Sequence, residues 1–143
     1  MSFKNLDQLY RSVIMDHYKT PRNKGVINDG GISIEMNNPT CGDRIQLSMQ
    51  VEDGVVKEAK FDGEGCSISM ASASMMTQAV KGKEVDEALK LSEIFSDMML
   101  GKEYDDSIDL GDIEALSGVS QFPARIKCAT LAWKAMEQGV EKS

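Results

Sequence analysis

The sequence predicts an α+β fold, and three observations carry that prediction. Near the start, apolar residues recur at the three-and-four spacing of one helix face. In the middle, two alternating apolar and polar runs meet at Asp53-Gly54, as the strands of a hairpin do. Towards the end, a segment opened by Pro123 returns to helical spacing.

Element by element, Leu6, Leu9, Tyr10, Val13, Ile14 and His17 form the apolar stripe of the first helix, and Pro21 stops it. A Gly- and Asn-rich loop from Asn23 to Gly31 leads to Ile32, Ile34 and Met36, which alternate as in a half-buried strand. Ile45, Leu47, Met49 and Val51 alternate with Arg44, Gln46, Ser48 and Gln50. Asp53 and Gly54, both tolerant of positive φ, then turn the chain into a strand from Val55 to Phe61. From Ser67 to about Lys81 the residues are small, Met-rich and free of Pro and Gly, a composition for a closely packed helix. A third helix is expected over Val85 to Phe95. Residues 96–120 carry Glu103, Asp105, Asp106, Asp109, Asp112 and Glu114 around Gly101 and Gly111, and are expected to be largely solvent-exposed connection. The last helix buries Ile126, Ala129, Trp133, Met136 and Val140.

A chain of 143 residues, 41% hydrophobic and 27% charged, suits one domain over 1–143 with its own core. A net charge of -7 sets it against phosphate backbones and anionic lipid, so nucleic acid and membrane are not expected as partners. No apolar run reaches the roughly 20 residues of a membrane span, and Met1 to Asn5 lacks a signal-peptide core, which points to the cytoplasm. In that reducing compartment three cysteines are thiols, either packed as small hydrophobes or chemically employed.

Their positions favour employment. Cys41 lies in Asn38-Pro39-Thr40-Cys41-Gly42-Asp43, a loop stiffened by one residue and turned by another, and Asp43 is two residues on. In an extended chain such neighbours project to one side, so a thiolate and a carboxylate can converge on an ion. Cys66 follows two glycines at a helix start, where the macrodipole favours thiolate. Cys128 sits about 200° around its helix from Ile126 and is expected to point away from the apolar stripe. Three thiolates and a carboxylate suit tetrahedral zinc, whereas calcium and magnesium prefer oxygen alone. His17, the sole histidine, is expected to be a packed or hydrogen-bonded residue, which leaves a Cys–His hydrolase without its base.

Asn38-Pro39-Thr40-Cys41-Gly42-Asp43, the run from Gly63 to Ser74 around Cys66, and Phe122-Pro123-Ala124-Arg125-Ile126-Lys127-Cys128 resemble the NifU-N/IscU-type family of iron–sulfur cluster assembly proteins. Asp16 to Asn23 resembles its N-terminal segment. Scaffold members carry a histidine before the third cysteine, where Lys127 stands here, and they lack the acidic insertion at about 96–120. Both departures resemble the family's SufU branch.

The resemblance implies a SufE/NifU-like α+β fold: a small antiparallel three-stranded sheet with helices packed on it and a metal site at one exposed end. It implies Zn2+ held by Cys41, Asp43, Cys66 and Cys128, with Cys41 as the sulfur acceptor. The implied partners are a cysteine desulfurase of the SufS type and other Suf assembly proteins. The expected activity is that of a sulfurtransferase-like carrier. Two rivals remain: a scaffold that builds an iron–sulfur cluster on the same residues, and a binding module whose zinc is structural. Arg125 and Lys127 are either charges that serve the site or ordinary exposed helix residues.

Overall fold

A computed structural model describes residues 3–27, 31–39, 42–104 and 110–142, the side chains of residues 3–10 excepted. Helix α1 (Phe3–Lys19) precedes strands β1 (Ile32–Asn38), β2 (Asp43–Glu52) and β3 (Val55–Glu64). Helices α2 (Ser67–Val80) and α3 (Val85–Met99), a 3-10 helix (Gly111–Gln121) and α4 (Pro123–Glu141) complete the chain. None of the helices is long and apolar enough to cross a membrane, among the described residues.

The sheet is an antiparallel meander in the order β1-β2-β3. Asp53 and Gly54 have φ of 53° and 73°, the paired left-handed residues of a tight hairpin whose twist matches the strands it joins. Along β2 the side chains of Asp43, Ile45, Leu47 and Met49 all point to the covered face and are buried. Helix α4 lies across β1 and β2, and α2 lies against β3 and α4. The far end of α4 is fixed by Gly139, which sits against Met49 and Ile34, so its opening turns reach towards the other end of the sheet. Phe95 of α3 stacks on Trp133 of α4 with ring centroids 4.9 Å apart, in a core that also takes in Met75, Met76 and Met136.

Strand β3 runs three residues past Phe61, through Gly63 to Glu64, and two further departures from the sequence expectation follow. Helix α3 runs to Met99, one turn beyond Phe95, because Met98 and Met99 are buried; Leu100, 63% exposed, lies outside the core. The acidic segment is also more ordered than an exposed connection. Leu110, Ile113, Leu116 and Val119 recur every third residue and are all buried. That is the period of a 3-10 helix, whose i and i+3 side chains eclipse into one stripe, while Asp112 and Glu114 stay at the surface. Asp105, Asp106 and Asp109 lie outside the described residues.

His17 fastens this segment to the body. Fully buried, it holds its Nδ1 2.8 Å from Ser74 Oγ of α2, and its Nε2–H donates to the Asp112 carboxylate at 2.7 Å. Ser74 Oγ also accepts the Arg22 backbone N–H at 2.8 Å. The expectation of a packed, hydrogen-bonded histidine therefore holds.

Candidate metal centre

Three of the four residues singled out in the sequence come together. One ligand atom each from Asp43, Cys66 and Cys128 lies within 4.8 Å of the other two. Cys41 lies outside the described residues. Each of the three is placed by a different element: the first residue of β2, the residue before α2, and the second turn of α4.

Asp43 is only 2% exposed because it continues the inward alternation of β2. Its Oδ1 accepts the Cys66 backbone N–H at 3.0 Å, while its buried Oδ2 has no hydrogen-bond partner among the described residues. A buried carboxylate oxygen without a donor is costly, of the order of 1–3 kcal/mol, unless a cation takes the place of the donor. Gly65 makes this arrangement possible. A Cβ there would stand 2.5 Å from Asp43 Oδ1, so only glycine lets the backbone before Cys66 come so close to the carboxylate. Sequence reading assigns Gly63 and Gly65 to the turn alone. The missed signal is a glycine directly before a candidate ligand, where the backbone itself must serve the site.

Cys66 caps α2, and its Sγ accepts the Ser69 N–H at 3.4 Å. Cys128 is fully buried. Pointing away from the Ile126 stripe, as the helical spacing implies, does not bring it to the surface. From residue 128 to 136 every α4 residue except Lys134 is buried, so rotation away from the half-buried Ile126 leads into a second packed surface instead of solvent.

The donor set is two thiols and a carboxylate, with borderline-soft character suited to zinc. In a tetrahedral site with Zn–S near 2.3 Å, neighbouring sulfurs stand about 3.8 Å apart. The three ligand atoms lie within 4.8 Å of one another, close to the spacing such a site needs. The Arg125 guanidinium lies beside both sulfurs. Cys66 first, by its charge, and then Cys128, by hydrogen bonding and charge, raise the arginine pKa above its ordinary value. Arg125 thus offsets the negative charge that a thiolate site gathers.

The NifU-like N terminal domain family model matches residues 9–129. The chain is 74% identical over 143 residues to the zinc-dependent sulfurtransferase SufU of Bacillus subtilis strain 168, covering 99% of this chain and 97% of that one. It is 46% identical to the iron–sulfur cluster assembly scaffold protein IscU of Streptococcus pyogenes serotype M1, covering 100% of this chain and 89% of the relative. A crystal structure from Fervidobacterium islandicum AW-1, described as a candidate scaffold protein for the SUF system, superposes with a TM-score of 0.87. It shares 35% identity, over 93% of this chain and 97% of that one.

Proposed function

The chain belongs to the NifU-like N terminal domain family, and from that premise we propose that it is a zinc-dependent sulfur acceptor in iron–sulfur cluster assembly. It takes sulfur from a cysteine desulfurase of the SufS type onto Cys41, in the cytoplasm, as one domain over 1–143. The observation that carries this reading is the meeting of Asp43, Cys66 and Cys128 around a carboxylate oxygen with no hydrogen-bond partner among the described residues. The high identity to a relative named a zinc-dependent sulfurtransferase supports it.

In this reading Asp43, Cys66 and Cys128 hold zinc, with Cys41 as fourth ligand. Bound zinc supplies Lewis acidity that keeps coordinated thiols as thiolates, where a free cysteine with a pKa of about 8.5 is mostly protonated at neutral pH. The chain's own groups do the rest. The Cys66 N–H fixes one oxygen of Asp43 and thereby aims the other. Arg125, beside Cys66 and Cys128, supplies positive charge that draws an anionic persulfide to this end of the molecule.

Transfer is then a thiol–disulfide type exchange. The Cys41 thiolate attacks the outer sulfur of the desulfurase persulfide and a new S–S bond forms on Cys41. The S–S bond on the desulfurase breaks, and its cysteine leaves as thiolate with the bonding pair. The number of S–S bonds is unchanged, so no outside oxidant or reductant enters.

A cluster scaffold would use the same residues, and the relative named a scaffold keeps that reading in view. Lys127, in the position of the scaffold histidine, disfavours it. The test is persulfide labelling after incubation with desulfurase and L-cysteine. Wild type should gain one sulfur, whereas Cys41→Ala should gain none and still retain zinc. Normal labelling of the variant would remove Cys41 from its assigned role.

A further inference from the structure

Among the described residues, five buried side-chain polar atoms lack a hydrogen-bond partner: Asn38 Nδ2, Asp43 Oδ2, Ser48 Oγ, Glu58 Oε1 and Ser69 Oγ. Glu58 Oε1 is ion-paired with Lys81 Nζ at 3.1 Å, and Ser48 lies mid-sheet opposite Ser33 and Lys60. The other three belong to the end of the sheet that carries the metal centre.

Asn38 and Asp43 are directly opposed in the pairing of β1 with β2, and both are buried. Opposed side chains share a face with Cβ atoms about 4.5–5.5 Å apart, so the Asn38 amide stands next to the Asp43 carboxylate on the covered face. Ser69 lies one helical turn beyond Cys66, to whose sulfur its backbone N–H already donates. Ser72 Oγ, three residues on, donates to the Ala129 carbonyl of α4 at 2.5 Å. Three residues turn a helix by about 300°, so Ser69 points within roughly 60° of the same direction. The two helices advance in the same sense here, because Cys66 meets Cys128 while Ser72, six residues on, meets Ala129 and accepts the Trp133 Nε1–H. Ser69 therefore faces α4 at the height of Cys128.

Asp43 Oδ2 is an acceptor that a cation satisfies. Asn38 Nδ2 is a donor only, and the Ser69 hydroxyl, although it can also accept, carries a proton that a cation cannot take; an anionic acceptor serves both. Thiolate sulfur is such an acceptor, and it exists here once Cys66 and Cys128 are deprotonated on a metal. We propose that Asn38 and Ser69 are positioning residues of the metal centre, donating N–H···S and O–H···S hydrogen bonds to its thiolates. Those bonds withdraw charge from the sulfurs, fix their orientation and slow loss of the ion, as outer partners of metal ligands do. The inference rests on the zinc reading above.

The test compares wild type with Asn38→Leu and Ser69→Ala, separately, in zinc-free and zinc-loaded protein. Without metal each variant deletes an unsatisfied buried donor, so its melting temperature should equal or exceed that of wild type. With metal the sign reverses. Zinc affinity, read by chelator competition, should fall roughly tenfold per variant, within the range for outer partners. With cobalt(II) in place of zinc, the thiolate-to-metal charge-transfer band should move to longer wavelength, because sulfur without a donor gives up charge more readily. Unchanged affinity with an unchanged cobalt spectrum overturns the proposal. Equal destabilisation of metal-free and metal-loaded protein also overturns it, since that marks ordinary packing. Failure of either variant to fold leaves the other decisive. If wild type itself binds no zinc, the zinc reading fails and takes the inference with it; if wild type binds and the variants match it, the inference alone fails.

Discussion

The cluster around His17 and the cluster around Asp43 are both buried and polar, yet one closes on itself and the other does not. His17 has a partner on each ring nitrogen, and Ser74 Oγ meets both the imidazole and the Arg22 N–H. At the other cluster, Asp43 Oδ2, Asn38 Nδ2 and Ser69 Oγ are all left without hydrogen-bond partners among the described residues. A self-satisfied network stabilises the arrangement that makes it. An unsatisfied one is tolerated where something outside the chain completes it. The difference separates the residues that hold the acidic segment in place from those proposed to serve an ion.

Substitutions can break or sharpen that contrast, and the largest effect on stability is expected at the closed cluster. His17→Ala leaves a cavity and deprives Ser74 of one partner and Asp112, whose side chain is 46% exposed, of another. The expected loss is about 2–4 kcal/mol in urea unfolding, with zinc stoichiometry unchanged. Loss of zinc together with the fold would show that the two clusters are not separable.

A smaller effect on stability, with a larger one on metal, is expected from Gly65→Ala. The added Cβ meets the Asp43 carboxylate rather than the flexible end of a long side chain. The fold should lose about 1–3 kcal/mol, and zinc retention against a chelator should weaken markedly. An alanine variant that keeps wild-type zinc affinity would show that the close backbone approach at Gly65 is incidental.

The smallest effect belongs to an exposed pair near the closed cluster. Arg22 Nη2 lies 2.6 Å from Asp16 Oδ2, and its hydrogen bond and charge hold the Asp16 pKa below its ordinary 3.8. Because the folded value is the lower one, the pair's contribution is present above pH 3.8 and disappears as pH falls through the folded value. Asp16→Asn should therefore trim stability slightly at neutral pH, and the difference from wild type should vanish in strong acid. Urea midpoints measured across that range check the sign, and a difference that grows in acid would contradict it.

How much of this was legible in the sequence follows from what each element depends on. The hairpin at Asp53-Gly54 and helix α2 were readable because local chemistry decides them. The acidic segment misled because its charges draw attention from Leu110, Ile113, Leu116 and Val119, whose period of three fits neither a strand nor an α-helix. Asp43, Cys66 and Cys128 were legible as candidate ligands from residue type and family resemblance, and the structure brings them together. The burial of Cys128 was not legible, since the periodicity of one helix cannot show how many neighbours surround it. Nor were Asn38 and Ser69, because a missing hydrogen bond exists only in three dimensions.

The central claim is that Asp43, Cys66 and Cys128 bind one divalent ion, and X-ray absorption at the zinc edge on protein purified without added metal tests it most directly. The account predicts about one zinc per chain in a sulfur-rich, four-coordinate shell, with one sulfur scatterer lost or replaced in Cys66→Ser and in Cys128→Ser. Substoichiometric zinc in wild type, or a shell unaltered by both substitutions, would contradict it.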